Sequence, residues 1–198
     1  MKWPTQQSWR RWRGWLAINV EVAALAVSPI RLSEGVLALM LSNLAKAGFE
    51  VLAYCGPSIG INVDAAVILQ YISDSKTSIG ILGRCIDSLN LKPPLMVIRA
   101  TRPHASWMTY KLLADAWIRF RGRFIAPSIN GRGLSTPIIV PNGRILSDLI
   151  VLNRRFKLSS AMVKLMIKHR RDLMLVEVKD PCLTARFNER CLANTAPS

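Results

Sequence analysis

The stretch from residue 33 to 101 constrains this chain most, because one helical-period segment is followed there by short apolar runs separated by turn residues. "SEGVLALMLSNLAKAG" puts Val36, Leu37, Met40, Leu41 and Leu44 on one helical face, with Ser33 placed to cap the start and Gly48 to end the helix. "FEVLAYC" (49–55) reads as an apolar strand and "GPSIGIN" (56–62) as a turn. "AAVILQYI" (65–72) reads as a second strand from its β-branched content. "SDSKTS" (73–78) offers caps for a very short helix. "RCIDSLN" (84–90) forms another, stopped by Pro93 and Pro94, and "LMVIRAT" (95–101) is the clearest strand. The order is helix, strand, strand, short helix, loop, helix, strand. That makes the chain α/β (α+β), and 51% hydrophobic residues over 198 positions can furnish one medium core or two small ones.

The loop between the two short helices is "SIGILGRC", with Gly80 and Gly83 three apart. Glycines at that spacing let a sugar-phosphate backbone come close where a side chain would block it, while the following helix N-terminus faces the phosphates. An ordinary turn in an α/β core, with no ligand, is the alternative. The element order and the Gly-x-x-Gly loop resemble a type II KH domain. By that resemblance Gly80 and Gly83 clamp RNA, Ile79, Ile86 and Leu89 seat the helices, and Arg84 supplies the cation that KH loops usually hold where Ile81 and Leu82 stand.

Beyond the loop, residues 30–178 resemble the KH-bearing small-subunit ribosomal protein family, the third protein of the small subunit, as a divergent organellar-type member. "PIRLSEGVLALMLSNLAKAGFEV", "VILQYISDSKTSIGILG" and "RPHASWMTYKLLADAWIRFRGRF" carry the likeness, and "NGRILSDL" with "LMLVEV" (173–178) match the family's closing pieces. The family's Gly-Arg-Leu-Gly-Gly segment is eroded to "INGRGLS". The resemblance implies a type II KH-like domain over 30–126 and a small, eroded C-terminal α+β domain over 127–180. These are flanked by a basic Trp-rich arm (1–29) and a tail (181–198). It also implies a structural role in the small ribosomal subunit beside the messenger RNA entry path. The partners would then be ribosomal RNA, messenger RNA and neighbouring small-subunit proteins, and the location mitochondrial, with the cytoplasm as alternative.

The charge distribution agrees with a polyanion partner. The formal net charge is +15, and between Ala116 and Arg171 twelve Lys or Arg face one acid, Asp148. In "WIRFRGRF" Arg119, Arg121 and Arg123 alternate with Trp117, Phe120 and Phe124, a pattern that grips phosphates while rings stack on bases. A helix end whose cations meet the dipole is the competing reading. Arg132, Arg154, Arg155, Lys164, Lys168 and Arg171 complete the candidate nucleic-acid face. A helix after Ser159 or Ser160 would turn Met162, Leu165 and Met166 inward and Lys164, Lys168 and Arg171 outward. Arg119, Arg121 and Arg123 are expected to share one surface with the basic residues of 154–171.

The remaining features mostly exclude. Residues 8–27 have a positive start and an apolar stretch, so a binding arm, a targeting segment and a membrane anchor all stand open. No run of 18 apolar residues occurs, so stable membrane insertion is not expected. Cys55, Cys85, Cys182 and Cys191 form no C-x-x-C pair and read as reduced core thiols rather than zinc ligands. No metal, cofactor or catalytic motif appears, and with two histidines general acid–base machinery is hard to assemble. His104 reads as a loop or helix-start residue. The chain is therefore expected to have no enzyme activity. A basic peripheral membrane or viral matrix-type protein binding anionic lipid and nucleic acid is the alternative.

Overall fold

The computed structural model describes residues 22–58, 67–72, 77–101 and 105–183. The expected short helix at 73–78, His104, the tail beyond residue 183 and the first 21 residues of the arm lie wholly or mainly outside them. The elements run β1 (Ala23–Val27), α1 (Glu34–Lys46), β2 (Leu52–Gly56), β3 (Val67–Tyr71), α2 (Ile81–Leu89), β4 (Leu95–Arg99) and α3 (Trp107–Arg119). They continue with β5 (Phe124–Ile129), β6 (Arg132–Gly133), β7 (Ile138–Val140), α4 (Gly143–Asn153), α5 (Leu158–Lys168), β8 (Leu173–Glu177) and a 3-10 turn at Pro181–Leu183.

One mixed sheet takes them all, in the order β3-β2-β1-β4-β7-β5, with β6 and β8 both paired to β5. β3, β2, β1 and β4 are parallel; β7 runs against both β4 and β5, and β8 is parallel to β5. The sheet thus draws strands from both sides of residue 126. Its central strands are buried on both faces, as parallel strands between helix layers must be. Ala24, Ala26, Tyr54, Met96 and Ile98 meet the layer of α1 and α3. Leu25, Val27, Ala53, Cys55, Leu95 and Val97 meet the layer of α2, α4 and α5.

Much of the local reading holds. α1 buries Val36, Leu37, Met40, Leu41 and Leu44, and Gly48 follows its C-cap with φ 93°. Ser33 stands at the N-cap, although its side chain makes no capping bond. Ser106 Oγ caps α3 by accepting the Thr109 N–H at 3.4 Å, and Asn142 Oδ1 caps α4 by accepting the Ile145 N–H at 3.1 Å.

Other readings are corrected. Residues 23–27, assigned to the arm, are a central strand: "AALAV" is alanine-rich, so it lacks the β-branched signature, but small residues suit a strand pressed from both faces. "NGRILSDL" is not a Gly-Arg turn but the start of α4. Phe124, the last ring of the basic aromatic stretch, is fully buried and opens β5 (Phe124–Ile129). Cys55, Cys85 and Cys182 are not the reduced thiols expected. Cys55 on β2 and Cys85 on α2 form a disulfide with Cα atoms 5.8 Å apart, and Cys182 is disulfide-bonded too. Their separation of 30 residues hides a closeness that only the β2–β3–α2 crossover creates.

Candidate functional site

The sheet's connectivity places the site. From β1 the chain winds outward through β2 to β3, then crosses back over α2 to β4 on the other side of β1. The strand order therefore reverses between β1 and β4, and open α/β sheets take ligands outside the carboxyl ends of the strands at such a point. Ser28 and Arg99–Thr101 border it, held by Ala100 N–H donating to Val27 O at 2.9 Å and Arg99 N–H donating to Thr136 Oγ1 at 3.0 Å. Ser28 is fully buried and its Oγ donates to Ile30 O at 2.6 Å, which turns the chain sharply as it leaves β1. The neighbouring gap between β1 and β2 is closed. Tyr54 folds over Gly56 so tightly that any Cβ there would collide with its ring and hydroxyl, and with Ser28 O at 2.8 Å.

Asp180 and Glu177 also lie toward this edge, and both accept from backbone N–H and side-chain hydroxyl donors. Asp180 Oδ2 accepts from Ser106 N–H and Thr109 Oγ1, each at 2.7 Å, and Oδ1 accepts from Cys182 N–H at 3.0 Å, so it fixes the N-terminus of α3. Burial raises the pKa of the neighbouring Tyr110 phenol well above its ordinary value, and the charge of Asp180 adds to that. Glu177 accepts from Ser128 Oγ at 2.7 Å and from the N–H groups of Asn130 and Gly131, which straps the β5–β6 turn. These donors, Ser128 first, hold its carboxyl below the usual range. Among the described residues no group of three His, Cys, Asp or Glu side chains comes together to hold a metal.

The Gly-x-x-Gly segment is not a free loop. Gly80 is the left-handed N-cap of α2 (φ 71°), and Gly83 lies inside the helix, where a Cβ would come within 3.2 Å of Ile150 on α4. Ile81 and Leu82 are fully buried. Asn153, at the end of α4, latches the segment. Its backbone O accepts Gly80 N–H (2.8 Å), its Oδ1 accepts Leu82 N–H (3.0 Å), and its Nδ2 donates to Ser78 O (2.7 Å) and Phe156 O (3.1 Å). Ser78 Oγ accepts Leu158 N–H at 2.9 Å. Gly80 N–H and Leu82 N–H, at the start of the helix, therefore point at Asn153, and the segment packs against the end of α4. Asn153 was missed because a single asparagine at a helix end carries no sequence signal.

The basic residues divide between opposite edges. α3 descends to the amino edge of the sheet, so Arg119, Arg121 and Arg123 lie exposed in the turn before β5. α5 descends to the same edge and brings Lys168 and Arg171 there, where an Arg123 guanidinium nitrogen donates to Arg171 O at 3.1 Å. α4 climbs the other way, so Arg154 and Arg155 sit at the carboxyl edge near α2, which carries Arg84. Arg132 is on the short β6. Lys164 is exposed on α5 with its ammonium 4.5 Å from the centre of the Phe156 ring. Fold geometry brings together Arg119, Arg121, Arg123, Lys168 and Arg171, and separates Arg154 and Arg155 from them. His169, also missed, is buried at the amino edge with Nε2 2.8 Å from Asp148 Oδ2. Asp148 also meets Lys168 Nζ at 2.8 Å, and that bond, then His169, keeps its carboxyl below the ordinary range.

The fold is a three-layer α/β arrangement around one mixed sheet. Solved structures agree at the level of fold. Rv0371c from Mycobacterium tuberculosis H37Rv aligns with a TM-score of 0.57 at 13% identity, over 79% of this chain and 88% of that one. The same protein in complex with manganese gives 0.59 at 11% identity, over 88% and 97%. The 2-C-methyl-D-erythritol 4-phosphate cytidylyltransferase from Thermus thermophilus gives 0.54 at 15%, also over 88% and 97%. No family model matches the sequence, and no curated protein does.

These likenesses overturn the KH-domain ribosomal assignment. A structural role in the small subunit, binding of ribosomal or messenger RNA, and neighbouring ribosomal proteins all lose their support, and the membrane or matrix alternative gains none. The expectation of no enzyme activity now meets a fold that one neighbour, a cytidylyltransferase, uses for catalysis. No helix among the described residues is long and apolar enough to cross a membrane.

Proposed function

We propose that this chain binds a nucleotide in a crevice above the carboxyl ends of β1 and β4. The observation that carries the reading is the reversal of strand order between those two strands in the parallel half of the sheet. The fold shared with a cytidylyltransferase supports a nucleotide as the ligand class, and nucleotidyl transfer is the activity to test. The backbone turn at Ser28–Ile30 and the end of β4 at Ala100–Thr101 would form the two walls. Another neighbour of the same fold, Rv0371c, is known in complex with manganese, which makes the metal a condition to vary in the test.

Calorimetric titration of the full chain with the four ribonucleoside triphosphates, each with and without manganese, tests this. The expected result is saturable binding of at least one of them, lost when Thr101→Trp fills the mouth of the crevice. Absence of binding by all four under both conditions would remove the proposal. So would binding that survives Thr101→Trp unchanged.

A further inference from the structure

The last strand of the sheet has an edge that no described strand covers. Phe124 N–H donates to Asp172 O at 3.1 Å and Val178 N–H to Ser128 O at 2.9 Å, so the even-numbered backbone groups of β8 face β5. By alternation, those of Leu175 and Glu177 and the Leu173 C=O face outward, while the Leu173 N–H donates to His169 O at 3.0 Å. "LMLVE" lacks the lysine, proline or bulge that usually protects such an edge. Leu175 is 43% exposed.

An apolar stripe on α5 continues this edge. A Cβ at Gly133 would meet both Met166 Cε and Leu175 Cδ2, so Met166 and Leu175 lie side by side. Val163 and Ile167 share the helical face of Met166 at spacings i, i+3 and i+4. They are 46% and 67% exposed, and Ile167 is the most exposed large apolar side chain among the described residues.

We propose that this surface pairs with a second copy of the chain, β8 against β8 antiparallel, about a two-fold axis at Leu175. Among the described residues no strand pairs with the outward groups of Leu175 and Glu177, and an edge of this kind is a template for a further strand, here one complementary to itself. With Leu175 opposite Leu175, Leu173 falls opposite Glu177, so both backbone groups of Leu175, the Glu177 N–H and the Leu173 C=O find partners. The α5 stripes then flank the Leu175 pair on one face of the joined sheet. Glu177 lies diagonal to Arg171 of the second copy, while Lys179 falls opposite that same arginine, so the strand ends carry mixed rather than uniformly repulsive charge. At +15 per copy the two bodies repel at long range, so the dimer tightens as salt screens them.

Sedimentation equilibrium of the nuclease-treated full chain at low and high salt tests this. The expected mass is that of a dimer, more so at high salt. Leu175→Pro removes an N–H that faces away from β5, and Ile167→Glu charges the stripe without touching the sheet. Each should weaken dimerisation by about tenfold or more. If Leu175→Pro fails to fold, Ile167→Glu decides alone. A wild-type chain that stays monomeric at all salts, as when its own terminal segment covers the edge, overturns the proposal. A dimer that neither substitution weakens overturns it as well.

Discussion

Asn153→Ala should be among the most destabilising single changes in this protein, although no ligand touches that residue. The side chain is fully buried and makes three hydrogen bonds, to Leu82 N–H, Ser78 O and Phe156 O. Truncation strands the first two in a dry environment, since Leu82 is 0% and Ser78 8% exposed, while Phe156 lies at the surface and can turn to water. Each stranded group costs roughly 1–3 kcal/mol, so the loss should be about 3 kcal/mol, a large part of a typical stability of about 5–15 kcal/mol. The Gly80 N–H to Asn153 O bond belongs to the backbone and survives, so α2 should keep its start but loosen against α4. Asn153→Asp separates the contributions. It keeps an acceptor for Leu82 N–H but turns an oxygen toward two carbonyls, so it should be nearly as damaging at neutral pH and partly relieved once protonated. Urea unfolding gives the free energies, and hydrogen exchange at the Leu82 amide reports the latch directly. A loss under about 1 kcal/mol for Asn153→Ala would mean that water or repacking satisfies both groups, and the latch would not be what holds α2.

Three further outcomes follow from particular contacts. Replacing Cys55 and Cys85 with serine opens a loop of 30 residues, and loop entropy sets a loss of about 3–4 kcal/mol, readable as a lower denaturation midpoint that reductant no longer shifts through this pair. Gly80→Ala meets no atom within 4 Å but must hold φ 71°, so it should cost roughly 1–2 kcal/mol of strain in thermal unfolding. Asp148 titrates below its ordinary 3.8 when folded, so its pairing stabilises the protein above that pH and the benefit fades as pH falls through the lowered value; Asp148→Asn should flatten the acid limb of the stability–pH curve, and an unchanged limb would dismiss the pairing as a source of acid sensitivity.

α1, β2, β3, most of α2, β4 and α5 were legible in the sequence from periodicity, capping residues or apolar runs between turn residues, whereas α3 and β8 were legible only through the family resemblance. β1 was not legible. Alanine-rich "AALAV" gives no strand propensity, since packing on both faces selects it rather than backbone preference. Losing that strand altered the topology. The order helix–strand–strand–helix–strand fits a KH domain, whereas adding a strand at its head gives β-α-β-β-α-β, the opening half of a doubly wound sheet with its strand-order reversal between β1 and β4. The Gly-x-x-Gly was visible but its partner was not, because Asn153 lies over 70 residues away. Ile81 and Leu82, aliphatic where a phosphate-facing loop would be basic, already pointed to burial. The proposed site is built from backbone ends rather than from a motif, so its residues carry no signature that spacing could reveal.

The account rests on where a nucleotide sits, and backbone amide chemical-shift mapping during titration with the best-binding triphosphate locates it. The account predicts the largest shifts at Ser28, Ile30, Ala100 and Thr101, above β1 and β4, with little change at Arg119, Arg121 and Arg123 on the opposite edge. Shifts centred on those arginines instead would contradict it and leave a basic surface, not the crevice, as the seat of binding.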